Sequence, residues 1–224
     1  MLKINNLTGF GGAIREQLDV TYVLDDGQGN NADTYNFNGV SIGTAYDDRY
    51  LVISAILGAG TGDGSTPTVT VDGNTADVLY RANDGGTTYG GFFIIAKPTG
   101  TTANIVVTGG SGWDRCGINI WSVRKLLSPI PISTASDSTY STNDLSVTMQ
   151  SPYRGAIFLA AYPNAGTSGN ATWTDAAEVQ DTNHERNYTA AYATYPTSSS
   201  STQTITVTFV TIGASGLLFA VGLR

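Results

Sequence analysis

An internal repeat constrains the fold of this 224-residue chain more than any other feature of its sequence. The segment RYLVISAILGAG begins at Arg49, and RGAIFLAAYPNAG begins 105 residues further on, at Arg154. At this offset Ile53 falls on Phe158, in the middle of each apolar run. Two copies of one module would give such a match.

Three other segments repeat in the same order, although few residues are identical. The matching pairs are residues 39–43 with 144–148, 88–110 with 187–210, and 116–124 with 215–224. The offset falls from 105 to 99 along the chain, as expected if loops changed length between the copies. The repeat therefore predicts two modules, residues 17–125 and 126–224, each long enough to form a core without disulfides or metals.

Composition and patterning indicate that both modules are all-β. Charged residues make up only 13% of the chain, glycine occurs 27 times, and Thr, Ser and Asn separate short apolar runs. The strands predicted for the first module are residues 19–24, 34–43, 50–57, 68–73, 76–82, 90–97, 103–109 and 117–123. Eight short strands separated by turns predict a jelly-roll-like or Ig-like β-sandwich, and two such sandwiches in tandem.

The first 16 residues have no counterpart in the second module. Glycines at positions 9, 11 and 12 disfavour regular structure, so residues 1–16 are predicted to form an extended arm. Its apolar side chains are predicted to contact a partner: Leu2, Ile4, Leu7 and Phe10. The link KLLSPIPIS, residues 125–133, is predicted to be a short, stiff connector because Pro129 and Pro131 favour extended backbone.

The residue types needed for common catalytic and metal sites are scarce. His184 is the single histidine and lies in a predicted loop, and Cys116 is the single cysteine and is expected to be buried in a strand. The segment DDGQGNNAD is best explained as a hairpin turn, with an irregular Ca²⁺ site at Asp25, Asp26 and Asp33 as the alternative. We expect no enzyme activity, no cofactor and no metal.

Charge and hydropathy exclude two classes of partner. The net charge is −7 and no Lys/Arg cluster occurs, which argues against nucleic-acid binding. The longest apolar runs are much shorter than the roughly 18 residues that a membrane helix needs, so we expect no membrane insertion. The start of the sequence lacks the apolar core of a secretory signal, so we expect the chain to be made as a soluble product.

Two tryptophans lie at predicted strand edges or loops. For Trp113, in GGSGWDRCG, and Trp173, in NATWTDAAE, core packing is the favoured interpretation, and each is also a candidate for stacking on a glycan. Trp121, within GINIWSV, is expected to be a core residue.

The pattern of several segments resembles a known class of proteins. These segments are NFNGVSIGTA, DDRYLVISA, TVTVDGNTA, PTGTTANIVVT and RCGINIWSV. Together they resemble β-sandwich modules in virion structural proteins of tailed bacteriophages and related prophage-like particles. The resemblance covers residues 33–124, with a weaker echo over 139–224, where the Arg-Cys and Asp-Gly-Asn elements are missing.

This resemblance implies a structural role at the surface of a virion. Proteins of this type are head decorations, spikes or parts of the tail fibre, and they carry no catalytic residues. The implied partners are capsid, portal or tail subunits and further copies of the chain, assembled in the cytoplasm of a bacterial host. The alternative function is a lectin-like or adhesive module that binds a host surface glycan.

Overall fold

The computed structural model describes residues 16–58, 66–139, 142–163, 171–183, 187–194, 201–210 and 216–224. Seventeen β-strands and no helix occur among these residues. The strands of the first half are β1 (Asp19–Gln28), β2 (Thr34–Ser41), β3 (Tyr50–Gly58), β4 (Thr68–Val71), β5 (Asn74–Thr75), β6 (Asp77–Asn83), β7 (Thr88–Ala96), β8 (Thr102–Thr108) and β9 (Arg115–Arg124). Those of the second half are β10 (Ser133–Thr139), β11 (Asp144–Gln150), β12 (Ala156–Tyr162), β13 (Ala171–Thr174), β14 (Ala177–Asn183), β15 (Asn187–Thr194), β16 (Thr202–Phe209) and β17 (Gly216–Leu223).

The described strands form four antiparallel sheets, two in each half. Outer sheet I has the order β2-β8-β4-β5, and inner sheet I has the order β1-β9-β3-β7-β6. Inner sheet II has the order β10-β17-β12-β15-β14, and outer sheet II has the order β11-β16-β13. The prediction of an all-β sandwich fold is confirmed.

Three apolar cores separate the four sheets, so the sheets are stacked in one series. The first core joins outer and inner sheets I and contains Phe37 and Ile53. The third core joins inner and outer sheets II and contains Leu159. The second core, which we call the seam, joins the two inner sheets and contains Val52 from the first half and Phe158 from the second. The central strands of each inner sheet are therefore buried on both faces.

The two halves share their strand order. Inner sheet II repeats the order of inner sheet I when each strand is replaced by its counterpart in the second half. A β-bulge also recurs at one place, between Val78 and Tyr80 in β6 and between Glu178 and Gln180 in β14. Bulges are specific local features, so this recurrence is what two copies of one module would produce.

The sequence alignment of the two copies is wrong by one residue in their most apolar strand. An offset of 105 places Ile53 on Phe158, but Ile53 lies in the first core and Phe158 lies in the seam. Successive side chains of a strand point to opposite faces, so a shift of one residue exchanges the two faces. The counterpart of Ile53 is Leu159, 106 residues later, which lies in the third core.

The segment interpreted as a turn, DDGQGNNAD, is partly a strand. Strand β1 continues to Gln28, and Asp25 and Asp26 pair with Asn119 and Ile118 of β9. The hairpin interpretation is wrong for residues 25–28, because pairing with the long strand β9 extends β1 beyond its apolar part.

Candidate docking surface

One end of the stack brings together connections from both halves, and we call this end the base. Its segments are the loops 42–49, 97–101 and 151–155 and the linker 125–132. The backbone N–H of Leu18 donates to the carbonyl oxygen of Arg154 at 2.9 Å, and that of Leu127 donates to Arg224 at 2.9 Å. The first hydrogen bond joins the two halves at the base, and the second holds the linker against the end of β17.

The described part of the chain begins at the base, with residues 16–18. Leu18 is buried in the seam, and the side-chain amide of Gln17 donates to the carbonyl oxygen of Gly155 at 3.4 Å. The carboxylate of Glu16 pairs with Nζ of Lys125 at 2.9 Å. Residues 16–18 are therefore held by both halves. The predicted arm contacts lie outside the described residues: Leu2, Ile4, Leu7 and Phe10.

A buried arginine fixes two loops of the base. Arg49 is only 1% exposed, and its Nε donates to the carbonyl oxygen of Lys97 at 2.6 Å. Its terminal nitrogens donate to the carbonyl oxygens of Ile42, Gly43, Thr44, Thr99 and Gly100 at 2.8 to 3.2 Å. Burial lowers the pKa of Arg49, but a guanidinium stays charged at any ordinary pH. Arg49 thus holds loops 42–49 and 97–101 in one arrangement.

Arg124 organises the exposed rim of the base. Its Nε lies 2.9 Å from Oδ1 of Asp48, and its Nη1 lies 3.7 Å from Oδ2 of Asp19. Its guanidinium carbon lies 3.8 Å from the centre of the Tyr46 ring, a cation–π contact. The hydrogen bond from Arg124 holds the pKa of Asp48 below its usual range. These contacts orient Tyr46 at the surface.

Exposed apolar side chains are concentrated at the base. Six large hydrophobic residues are exposed in the described part of the chain, and four of them belong to base loops or the linker: Tyr46, Leu127, Ile130 and Tyr153. Leu127 and Ile130 are 58% and 72% exposed. The other two, Val78 and Val210, lie elsewhere. A cluster of apolar residues at one end of a molecule is typical of a protein contact surface.

An open cleft of about 450 Å³ lies where the two halves meet beside the N-terminal segment. Val20 and Lys125 line it from the first half, and Tyr192 and Thr194 line it from the second. Gln17 also lines the cleft, and its buried Oε1 has no hydrogen-bond partner among the described residues. A buried acceptor without a donor is unfavourable.

Basic residues are also concentrated at the base, despite the negative net charge of the chain. Of the eight Lys and Arg residues in the described ranges, six lie there: Arg49, Lys97, Arg124, Lys125, Arg154 and Arg224. Several are paired with nearby acids, as Lys97 is with Asp72 at 2.8 Å. The base therefore combines apolar side chains with several paired charges.

Both candidate glycan-binding tryptophans are buried, which agrees with the favoured core packing and makes the alternative of exposed stacking surfaces wrong. Trp113 is fully buried in the first core, where its Nε1 donates to the carbonyl oxygen of Gly109 at 2.6 Å. Trp173 is 9% exposed and lies in the third core. Each ring packs between two sheets because β-sandwich cores accommodate large apolar side chains. Trp121 is buried in the seam, as expected.

The described residues contain no candidate metal-binding cluster. Within these ranges no group of three or more His, Cys, Asp and Glu side chains could hold a metal ion, and this includes Asp25, Asp26 and Asp33. Cys116 is fully buried, as expected, and burial raises the pKa of its thiol well above the usual value. His184 lies outside the described residues. No described helix could cross a membrane.

Sequence reasoning missed most of the base. The buried role of Arg49 has no local signal, because a polar residue before an apolar strand is normally exposed. Leu127 and Ile130 did have a signal, since they are apolar residues in a proline-containing linker that is too short to form a core of its own. Apolar residues of this kind either pack against a neighbouring element of the same chain or form a contact surface for a partner protein.

Comparison with known proteins identifies no family. No family model matches the chain, and no curated protein is similar to it in sequence. Among solved structures, it is similar to that of Cucumber Necrosis Virus, with 10% identity, 91% of this chain and 85% of the other covered, and a TM-score of 0.24. It is also similar to A223, a turret protein of Sulfolobus turreted icosahedral virus, with 15% identity, 92% of this chain and 99% of the other covered, and a TM-score of 0.20. For the PBSX exported protein XepA the identity is 8%, the coverage is 92% of this chain and 86% of the other, and the TM-score is 0.22. TM-scores this low do not establish a shared fold.

Proposed function

We propose that this chain is a non-enzymatic structural protein of a virion surface, a head decoration, spike or tail-fibre component of a bacteriophage. In this proposal the modules 17–125 and 126–224 form the body, and residues 1–16 form an arm that binds capsid, portal or tail subunits. The resemblance of residues 33–124 to virion modules supports the class of protein. The geometry of the base supports the mode of attachment.

One observation carries the proposal: the exposed apolar side chains lie at the end where the described chain begins, at Glu16. Leu127 and Ile130 are exposed at the base, and residues 16–18 are fixed beside them. An arm that binds a subunit would bring the base against the same subunit. The arm and the base would then act as one bivalent contact, which raises affinity through effective concentration.

The cleft indicates what kind of contact the partner makes. Tyr192 offers an apolar wall, while Nζ of Lys125 is already paired with Glu16. A protein segment with an apolar side chain would pack against Tyr192 in this cleft.

The proposal is tested by incorporation into particles. A chain lacking residues 1–15 is compared with the full chain and with the double variant Leu127→Ser, Ile130→Ser. The matched control is Val78→Ser, Val210→Ser, which removes two exposed apolar residues away from the base. The truncation and the base variant should each reduce incorporation by about tenfold or more, because 1.4 kcal/mol of lost contact energy is tenfold in affinity.

The control variant should be incorporated like the full chain, and circular dichroism should show the same β-content for all four proteins. Normal incorporation of the truncated chain would contradict the anchoring role of the arm. An equal loss for the base and control variants would contradict the role of the base.

Glycan recognition remains the alternative function. With Trp113 and Trp173 buried, neither ring carries it. Binding of the full chain to host-cell polysaccharide, retained after removal of residues 1–15, would favour this alternative.

A further inference from the structure

The two inner sheets meet in an aromatic layer. In the seam, Trp121 of β9 packs edge-on against Phe158 of β12, with 5.6 Å between ring centroids. Phe92 of β7 packs edge-on against Phe219 of β17, with 5.1 Å between centroids. All four side chains are fully buried. Buried aromatic anchors of this kind dominate the binding energy of interfaces between separate subunits.

At two places in the seam, a glycine of the first half leaves space that an aromatic ring of the second half fills. A Cβ atom added at Gly58 would lie 2.9 Å from the ring of Tyr162. A Cβ atom added at Gly90 would lie 2.5 Å from the ring of Phe219. Both distances are shorter than real Cβ contacts, so these rings fit only because glycine stands opposite them.

The ring-bearing positions carry different residues in the first half. At the offset of 106 Tyr162 corresponds to Ile56, and the strand register makes Phe219 correspond to Asn119. Asn119 is buried, and its Nδ2 donates to Oγ of Ser54 at 3.0 Å. A second copy of inner sheet I in place of inner sheet II would therefore leave cavities at the two glycines and bury another amide.

We propose that the seam is an interface of the subunit type, in which inner sheet I accepts inner sheet II and rejects a second copy of itself. The partner that this surface fits is the second half of the chain. The linker sets the effective concentration of the two halves but is not required for their association. This inference is independent of the virion role.

The test uses the full chain with a protease site introduced in the exposed linker at residues 127–130. After folding and purification, the linker is cleaved and the two fragments are analysed by size-exclusion chromatography with light scattering. Phe219→Leu probes the seam, and Phe209→Leu is the matched control, since Phe209 is equally buried but lies in the third core. Gly58→Ala is a second seam variant that removes no apolar contact.

The cleaved wild-type protein should elute as a 1:1 complex of the two fragments. Phe219→Leu and Gly58→Ala should each raise the dissociation constant by about tenfold or more, and Phe209→Leu should leave it within about threefold. Fragments that separate at micromolar concentration would overturn the proposal. Homodimers of the first fragment would overturn the claimed specificity, as would equal weakening by Phe219→Leu and Phe209→Leu.

Discussion

The ring of Phe219 lies over the backbone of Gly90, with no room for a side chain between them: Cε1 would be 2.5 Å from a Cβ atom at Gly90. The two residues belong to different halves of the chain and meet in the seam. This contact shows how closely inner sheets I and II are fitted to each other.

Gly90→Ala should destabilise the protein by about 1 to 3 kcal/mol, because the added methyl group overpacks the seam. Urea denaturation monitored by tryptophan fluorescence measures the change. Phe219→Leu, which shortens the opposing side chain, should make Gly90→Ala less damaging in the double variant than in the single one. Additive effects in this double-mutant cycle would mean that Gly90 and Phe219 do not interact.

Arg49→Met should destabilise the protein by about 3 to 5 kcal/mol, because it removes a buried charged donor and leaves its carbonyl acceptors unsatisfied. Arg49→Lys should recover little of this loss, since an ammonium group cannot reach acceptors on both loops. Arg81→Met is the control, since Arg81 is exposed and makes one long hydrogen bond to Pro67 at 3.4 Å. Similar losses for Arg49→Met and Arg81→Met would refute the role of Arg49.

Acid should weaken the base through two carboxylates. The hydrogen bond from Arg124 lowers the pKa of Asp48, and the backbone N–H of Asn104, followed by Lys97, lowers the pKa of Asp72. A lowered folded-state pKa gives stability that is present above the unfolded pKa of about 3.9 and is lost as the pH falls through the folded value.

The denaturation midpoint should therefore fall as the pH is lowered from about 5 towards 3, and it should fall less for the double variant Asp48→Asn, Asp72→Asn. Asp77→Asn serves as the control, because Asp77 forms no ion pair within the described ranges. Identical acid dependence for the double variant and wild type would contradict this assignment.

Cys116 should not react in the folded protein. Its side chain is fully buried in the first core, and burial raises the pKa of the thiol, so little thiolate forms and reagents cannot reach it. A chromogenic disulfide reagent at pH 8 should label less than about a tenth of the chains in minutes, whereas the denatured chain should react completely. Rapid labelling of the native protein would show that β9 opens readily.

The strands could be predicted from the sequence because most alternate or form short apolar runs between turn residues. Strand β2, for example, buries Tyr35 and Phe37 and exposes Asn36 between them. The alignment of β3 with its counterpart β12 could not be predicted to the residue. Both strands are apolar on both faces, so a shift of the alignment by one residue still matches apolar with apolar residues. Only the separate cores distinguish Ile53 from Phe158.

The seam had a sequence signal that a two-sheet sandwich does not explain. Strands β3, β9, β12 and β17 are buried almost throughout, which requires an apolar neighbour on each face. In a two-layer sandwich one face of every strand is exposed and should be polar. Core packing is the favoured interpretation for Trp113 and Trp173, but the sequence alone leaves glycan stacking open, because a tryptophan in a glycine- or threonine-rich segment suits either a surface or a core edge.

Differential scanning calorimetry of the full chain tests most directly the central claim that the four stacked sheets form one body. Because the seam couples the two halves, the chain should unfold in one transition, with a calorimetric enthalpy about equal to the van't Hoff enthalpy. Gly90→Ala should lower the temperature of this single transition. Two separate transitions in the wild-type protein, or a calorimetric enthalpy about twice the van't Hoff value, would show that the halves unfold independently and would contradict the account.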